Sequence, residues 1–299
     1  MVQQAEPAAG VLYLVGTPIG NLGDLSPRAR QVLSGVQLIA CEDTRRSGLL
    51  LHQLGLRERS EGIGARLISF HQHNQATRIP ELLAALAAGD AIAVVSDAGL
   101  PGISDPGEEL VAAVRAAGRP VICIPGPSAV TTALISSGLP AGRFCFEGFL
   151  PAKATQRRAQ LAVLASEPRT LVLFEAPHRL VDLLEDLLAV MGDRPLRVAR
   201  ELTKRHEEQV GPTVSAALAH FCAVPPQGEC TLVLGGAPAA AAPSWDAAAL
   251  RCELEALVAS GLSRREAARS LAERSGHSKR ELYALLHQSN PIEQLADDA

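Results

Sequence analysis

The chain has 299 residues, room for about two domains at roughly 150 residues each and for a large core. Its 28 Lys and Arg against 32 Asp and Glu give a net charge of -4, which excludes a uniformly basic nucleic-acid coat and leaves only local basic patches. Aromatic residues make up 3%, too few for a broad base-stacking surface, and the apolar runs are too short and interrupted to span a bilayer.

The first residues, MVQQAEPAAG, show neither a basic nor an apolar leader region, so no secretory signal is expected. Strand-like runs then follow in order: 11–16, 36–41, 66–71, 91–97 and 119–126. They are short, rich in Val and Ile and nearly continuously apolar, as parallel strands covered on both faces should be. Helical patterns lie between them. The segment 79–89 stops at Gly89. Asp105-Pro106-Gly107-Glu108 reads as a capping box with proline at the first helical position, and 128–138 opens on Ser128 as N-cap and stops at Gly138. This is βαβ grammar with a mostly parallel sheet.

A second α/β unit follows, with strands at 143–149, 169–176, 196–202 and 229–236 and its clearest helix at 179–192. The uncharged APAAAAPS of 237–244 reads as linker. Three short helices are then expected at about Asp246–Ser260, Ser263–Ser275 and Ser278–Gln288, with Ser263/Glu266 and Ser278/Glu281 as two capping boxes. The domain expectation is therefore 10–140, 141–236, a linker at 237–245 and a helical domain at 246–290. Between Arg264 and Arg280 the last of these holds six basic residues against two acidic ones, and the acidic end EQLADDA restores the balance.

Three loops leave strands where open α/β sheets bind ligands. The first, VGTPIGNLGD, has the wrong glycine spacing for a dinucleotide fingerprint, and Pro18 offers no N–H. It reads equally as a plain strand-exit turn. The second, 96–110, has Asp97 at the end of an apolar strand and is stiffened by two prolines. Asp97 suits a ligand amine or hydroxyl as well as loop capping. The third, IPGPSAVTTA, ends a strand and opens a helix at Ser128, whose N–H groups suit a carboxylate or phosphate. The run Cys41-Glu42-Asp43-Thr44-Arg45-Arg46 is either a phosphate-facing cluster or a solvated charge run. No residues have metal-ligand spacing, and His71 and His73 are expected on opposite faces of a strand. The six cysteines are scattered and read as buried free thiols of a reducing, cytoplasmic compartment.

Taken in order, VGTPIGNLGD, CEDTRR, SFHQHN, VSDAGLPGISDPG, IPGPSAV, FEGFLPAK, LVLFEAPHR, ARELTKRHEE and GECTLVLGG resemble the tetrapyrrole methylase superfamily of S-adenosylmethionine-dependent enzymes over about Leu12 to Gly236. Within it, SDAGLPGISDPG and FEAPHR resemble the branch that methylates the 2′-oxygen of a decoding-region cytidine in 16S rRNA. The resemblance implies an α/β fold of two α/β/α units with a cofactor cleft between them, plus a small C-terminal helical domain. It places the methionine part of S-adenosylmethionine along Ile19, Asp97, Leu100, Ser128 and Ala129, and the adenosine part near Phe174, Glu175, Leu202 and Gly228. It also implies a homodimer acting on 16S rRNA in the small ribosomal subunit, with no membrane partner.

Methyl transfer to a ribose oxygen needs positioning of the acceptor and loss of its proton. The candidates are Glu147, Glu175, His178 and Glu201 as bases, and Lys153 and Lys204 as cations on phosphate or oxyanion, all unranked. For RNA, the candidates are Arg45, Arg46, Arg157, Arg158, Arg179, Arg264, Arg265, Arg269, Lys279 and Arg280. The rival readings are a small-molecule tetrapyrrole methylase, a nicotinamide oxidoreductase using Glu42 or Asp43, and a non-catalytic ribosome-assembly factor.

Overall fold

The computed structural model describes residues 7–56, 64–238 and 245–286. The chain divides into two compact units, Met1–Ala237 and Pro238–Ala299. Residues 239–244 of the expected linker, 287–290 of the expected helical domain and the acidic end lie outside the described residues.

The first unit holds two five-stranded sheets. The first sheet is built from β1 (Leu12–Val15), β2 (Leu38–Cys41), β3 (Arg66–Ser69), β4 (Ile92–Val95) and β5 (Val121–Ile124) in the order β3-β2-β4-β1-β5, all parallel. Its strands read as continuously apolar because both faces are covered. Tyr13, Val15, Ile39, Ala93 and Val95 face α1 (Pro27–Gly35) and α2 (Thr44–Gln53). Leu12, Leu38, Ala40, Ile92 and Val94 face α3 (Gln75–Ala88) and α4 (Glu108–Ala116). This alternation is the period of two expected of a strand.

The second sheet is mixed. Its strands β6 (Phe144–Phe149), β7 (Thr170–Glu175), β8 (Leu196–Arg200), β9 (Glu208–Val210) and β10 (Cys230–Leu234) run in the order β6-β7-β10-β8-β9, and only the β6–β7 pair is parallel. One face packs on α6 (Ala154–Leu164), α7 (Leu180–Met191) and α8 (Val214–Ala223). The other face receives α5 (Ala129–Ser136): Val172, Ala199 and Val233 pack with Val130, Ala133 and Leu134. The helix that follows the last strand of the first sheet thus lies on the second sheet and joins the two.

Several expectations are corrected. Asp105 does not cap a helix. Gly107 is the N-cap of α4, at φ 153 and without a side-chain bond, so Asp105 and Pro106 stay in the loop. Ser128 holds the N-cap position of α5 but makes no capping bond. His71 and His73 lie beyond β3, with ring centroids 5.9 Å apart. Only Cys41 and Cys230 are buried, while Cys123, Cys222 and Cys252 are exposed.

The second unit contains α9 (Ala247–Ala259), α10 (Arg264–Ser275) and α11 (Lys279–Leu285) around Leu250, Leu254, Ala267, Ala268, Leu271 and Leu282. Both expected capping boxes form, Ser263 with Glu266 and Ser278 with Glu281, and Gly276 ends α10 at φ 72. Arg264, Arg265, Arg269, Lys279 and Arg280 are all exposed. Among the described residues, no helix is long and apolar enough to cross a membrane.

Candidate active site

The strand-exit loops of the first sheet are tied to one another by backbone and buried hydroxyls. Thr17, just beyond β1, exchanges backbone bonds with Gly99, beyond β4, at 2.8 and 3.1 Å. Its buried hydroxyl donates to the carbonyls of Ser96 and Gly99. Gly16 packs so closely on Gly126, beyond β5, that a Cβ on either would lie 2.8 Å from the other's Cα. Glycine is needed here for backbone against backbone, and the loops of β1, β4 and β5 are held as one rigid group.

This group forms one wall of a cavity of about 410 Å³, within the range of small-molecule sites. Ile19, Asp97, Leu100, Ser128 and Ala129 line it from the first sheet and α5, with Glu42 and Arg46 beside them. Phe174 and Glu175 from β7, Cys230 and Thr231 from β10 and Glu229 just before β10 line it from the second sheet. The loop residues Ile103, Ser104 and Asp105, together with Phe149 at the end of β6, complete the lining.

Carboxylates dominate the polar wall. Asp97 Oδ2 accepts from Arg46 Nη1 at 2.9 Å, while Asp97 Oδ1 is buried with no hydrogen-bond partner among the described residues. The Glu175 side chain is 0% exposed. Its Oε1 accepts from the Ala176 N–H, and Oε2 has no hydrogen-bond partner among the described residues, although Arg179 Nη2 stands 3.2 Å away at ion-pair distance. Burial raises the Glu175 carboxyl above its ordinary value, against the Ala176 N–H and the Arg179 charge. Buried polar atoms are normally paired. Glu175 Oε2 is held by the Arg179 charge, which leaves Asp97 Oδ1 as the cavity-wall carboxylate oxygen without a partner among the described residues.

A family model described as Tetrapyrrole (Corrin/Porphyrin) Methylases matches residues 11–219. The chain belongs to this family. It is 52% identical over 277 residues to the ribosomal RNA small subunit methyltransferase I of Synechocystis sp., covering 92% of this chain and 97% of that protein. The protein of the same name from Thermotoga maritima is 46% identical over 227 residues, 76% of this chain but 99% of the relative. Among solved structures, diphthine synthase (TM-score 0.56, 14% identity, 75% of this chain and 90% of that one) has the same fold. So does uroporphyrin-III-C-methyltransferase from Thermus thermophilus (TM-score 0.53, 24% identity, 76% and 94%).

Within this tetrapyrrole methylase the structure gathers Ile19, Asp97, Leu100, Ser128, Ala129, Phe174 and Glu175 on the cavity wall. Leu202 and Gly228 are not on that wall. Leu202 is buried in the cluster under it, with Ile19 and Phe174, and a Cβ on Gly228 would collide with the Glu201 carboxyl. Of the expected catalytic groups only Glu175 lines the cavity. Glu201 and Lys204 pair with each other at 2.9 Å. Burial lowers the Lys204 pKa, but its bonds and charge pairing with Glu201 and Glu229 outweigh that and keep the ammonium protonated. Glu147 is half-buried outside the lining, and Lys153 and His178 are exposed outside it.

The expected RNA contacts are corrected at two positions. Arg157 is 5% exposed, and its Nε donates to Asp186 Oδ2 at 2.6 Å. Arg179 turns inward and donates to the Leu150 carbonyl at 2.8 Å. Arg158 shares Asp186 at 2.5 Å but stays 61% exposed, and Arg45 is exposed beside Asp43. Sequence reasoning named Glu42 only in the run from Cys41 to Arg46 and in the nicotinamide reading, and missed Asp105, Phe149 and Glu229 as lining residues. The tripeptide Ser104-Asp105-Pro106 lay inside a loop already singled out, but its match to a helix start masked it.

Proposed function

We propose that this protein transfers a methyl group from S-adenosylmethionine to small-subunit ribosomal RNA, at the ribose 2′-oxygen of a cytidine in the decoding region of 16S rRNA. The observation that carries this reading is the carboxylate-rich cavity around Asp97, in a tetrapyrrole methylase whose relatives are named ribosomal RNA small subunit methyltransferase I. This chemistry fits the donor: five carboxylates line the cavity against Arg46, and a molecule with a cationic sulfonium, an ammonium and ribose hydroxyls brings further positive charge and hydrogen-bond donors.

Bound S-adenosylmethionine supplies a methyl group already activated on sulfur. Asp97, Ser128, Ala129, Leu100 and Ile19 would hold its amino-acid end, and Phe174 with Glu175 its adenosine end. The protein's part is largely positioning, because fixing donor and acceptor in line removes most of the entropic barrier. The rigid loop group tied through Thr17, Gly16 and Gly126 serves that purpose. Exposed cations, among them Arg45, Arg158, Lys153 and the α10–α11 cluster, suit phosphate contacts that orient the RNA. The protein acts in the cytoplasm as a homodimer on the small subunit in this reading.

The reading is tested with small ribosomal subunits from cells lacking the enzyme. Incubation with the protein and S-adenosylmethionine should yield 2′-O-methylcytidine on nucleoside mass spectrometry, and Asp97→Ala should not. A methyl group on a base, or no new methylated nucleoside, overturns it.

A further inference from the structure

The methyl-donor reading assigns no role to Phe149 or to the loop of Ile103, Ser104 and Asp105 on the cavity wall. Phe149, the last residue of β6, lines the cavity yet is 56% exposed. Its ring centroid lies 5.5 Å from that of Phe174, which in turn packs edge-on to Phe146 at 5.0 Å. Three aromatic rings in a protein with 3% aromatic residues thus run from the core to an open face. Beside Phe149 sits the loop of Ile103, Ser104 and Asp105, with Ile103 also exposed. Ser104 holds φ 60, a left-handed conformation costly for a residue with a Cβ. A Cβ on Gly148 would lie 3.4 Å from Ser104 Oγ, so the loop packs directly against β6 where no side chain intervenes. The strained loop therefore sets a half-buried carboxylate next to an exposed aromatic face.

We propose that this mouth is the target-nucleotide subsite: Phe149 stacks the unstacked base, and Asp105 takes the proton of the ribose hydroxyl being methylated. The proposal rests on the methyl-transfer reading above. Sequence-specific RNA recognition commonly splays a base out and stacks it on an aromatic ring, and the stack tolerates any base because each has a π-face. The oxygen of the hydroxyl forms the new bond to the methyl carbon. The methyl–sulfur bond breaks with its electron pair left on sulfur, and the hydroxyl proton passes to an Asp105 oxygen.

The surroundings suit Asp105 to that task. Burial first, then the charges of Glu42 and Asp97, push its carboxyl up to about 6, against a hydrogen bond with Ser96. A base is most effective when its pKa approaches the working pH while it stays ionised. Besides Asp105, the charged and titratable groups around the cavity are Glu42 beyond β2, Arg46 on α2, Asp97 beyond β4, Glu175 on β7, Glu229 before β10 and Cys230 on β10.

The test compares wild type, Phe149→Ala, Phe149→Trp and Asp105→Asn. Affinity for S-adenosylhomocysteine is measured by calorimetry, affinity for unmethylated small ribosomal subunits by sedimentation, and single-turnover methylation as a function of pH. All four should still bind S-adenosylhomocysteine, with any change in the variants smaller than their loss of subunit affinity or rate, because Phe149 packs on Phe174 and Asp105 neighbours Asp97 without being assigned to the donor. Phe149→Ala should weaken subunit binding about tenfold or more, the scale of removing one base stack, and Phe149→Trp should restore it. Asp105→Asn should keep subunit affinity, slow methylation by about 10²-fold or more, and erase the acidic limb centred near pH 6. Wild-type-like affinity in Phe149→Ala, or a wild-type rate in Asp105→Asn, overturns the proposal. So does a lower solution mass in Phe149→Ala with RNA affinity unchanged, which would make Phe149 an interface between copies. If wild type binds S-adenosylhomocysteine yet methylates no subunit, the methyl-transfer reading fails instead.

Discussion

Arg46 Nη1 stands 2.9 Å from Asp97 Oδ2, so the start of α2 is clamped to the loop leaving β4. The two residues are shared between the main cavity and a smaller one of about 120 Å³ lined also by Pro18, Gly20 and Ser96. Asp97 is thereby neutralised by the protein itself at the place where a cationic ligand would engage it.

The first prediction follows from that competition. The Arg46 side chain is 73% exposed, and pairs of this kind are worth only about 0.2–1 kcal/mol. Arg46→Ala should therefore leave the fold intact and tighten S-adenosylmethionine binding, by up to about fivefold at the upper end of that range. Asp97→Asn should weaken it by more than about tenfold, the scale of removing a charge-assisted bond. Calorimetry on both variants decides. Weaker binding in Arg46→Ala would make Arg46 a ligand of the donor rather than its competitor.

The second prediction concerns Gly16 and Gly126. Alanine at either position puts a Cβ 2.8 Å from backbone, where no side chain can give way, and overpacking of this kind costs about 1–3 kcal/mol. Both variants should melt lower and bind S-adenosylmethionine more weakly, because the β1 and β5 loops must part. Gly102→Val acts differently. Nothing lies within 4 Å of its Cβ, but φ is +87°, so its cost is backbone strain of about 1–2 kcal/mol with loss of the loop's shape. Thermal midpoints and calorimetry on the three variants would separate crowding from strain. An unchanged Gly16→Ala refutes the packing argument.

Those glycines show where legibility ends. The βαβ grammar of the first sheet was readable because its central strands β1, β2 and β4 are apolar on both faces and because α3 carries its own stop at Gly89, φ 103. The glycines of VGTPIGNLGD had the wrong spacing for a dinucleotide fingerprint, and IPGPSAV read as a helix start suited to a carboxylate or phosphate. What the sequence does not show is that Gly16 and Gly126 touch each other across 110 residues of chain, and no local pattern reports that. The mixed second sheet was hidden for a related reason. Strand direction depends on the path of the connections, and the edge strand β9 has only three residues. Asp105 was misread because Asp-Pro-Gly-Glu satisfies the local rules of a helix start, whereas tertiary packing holds it at the cavity. Arg157 looked like part of a basic patch because its partner, Asp186, lies on another helix.

The third prediction uses that partner. Asp186 is 2% exposed and accepts from both Arg157 and Arg158. Burial alone would raise its pKa, but the two guanidinium bonds outweigh it and hold the carboxyl below the usual range. Asp186→Ala leaves the buried Arg157 charge uncompensated and should cost about 3–5 kcal/mol, while Arg158→Ala, at the exposed arm, should cost under about 1 kcal/mol. The sign with pH follows: a depressed carboxyl pKa stabilises above the unfolded value and is lost as pH falls through the folded one. The gap between wild type and Asp186→Ala should thus narrow in acid denaturation series. A constant gap would assign the effect to packing alone.

The fourth prediction takes the opposite sign at Asp105. Its folded pKa of about 6 lies above the ordinary 3.8, so the ionised carboxylate opposes folding. Its relative stabilisation is fully present below the unfolded value and is lost as pH rises through about 6. Asp105→Asn, which stays neutral throughout, should melt higher than wild type at pH 8 and match it more closely at pH 4. Melting curves at the two pH values test this independently of any RNA measurement, and a variant less stable at pH 8 would contradict it.

The last prediction separates the two units. The core clusters of the first unit draw only on residues up to Leu234, and α9 to α11 pack around six buried residues of their own. A chain ending at Ala237 should therefore fold, with S-adenosylhomocysteine affinity within about twofold of the full chain, as expected for independent sites. The Thermotoga maritima relative, whose match covers 99% of its length but 76% of this chain, is about as long as the first unit alone. The helical unit is thus not expected to supply the chemistry, and turnover at saturating subunit concentration should survive truncation. Affinity should not. Arg264, Arg265, Arg269, Lys279 and Arg280 are exposed together on α10 and α11, whose starts are fixed by the capping boxes of Ser263 and Ser278. Removing a cation from a phosphate should reduce the slope of log affinity against log salt by about 0.7–0.9 for each phosphate released. Three or more such releases would lower affinity at physiological salt by orders of magnitude while flattening its salt dependence. Binding of wild-type and truncated protein to small subunits at two salt concentrations gives both numbers. Equal slopes with a lower melting temperature in the truncated form would assign the helices to stability. Equal slopes with a smaller mass in solution would assign them to the interface between copies.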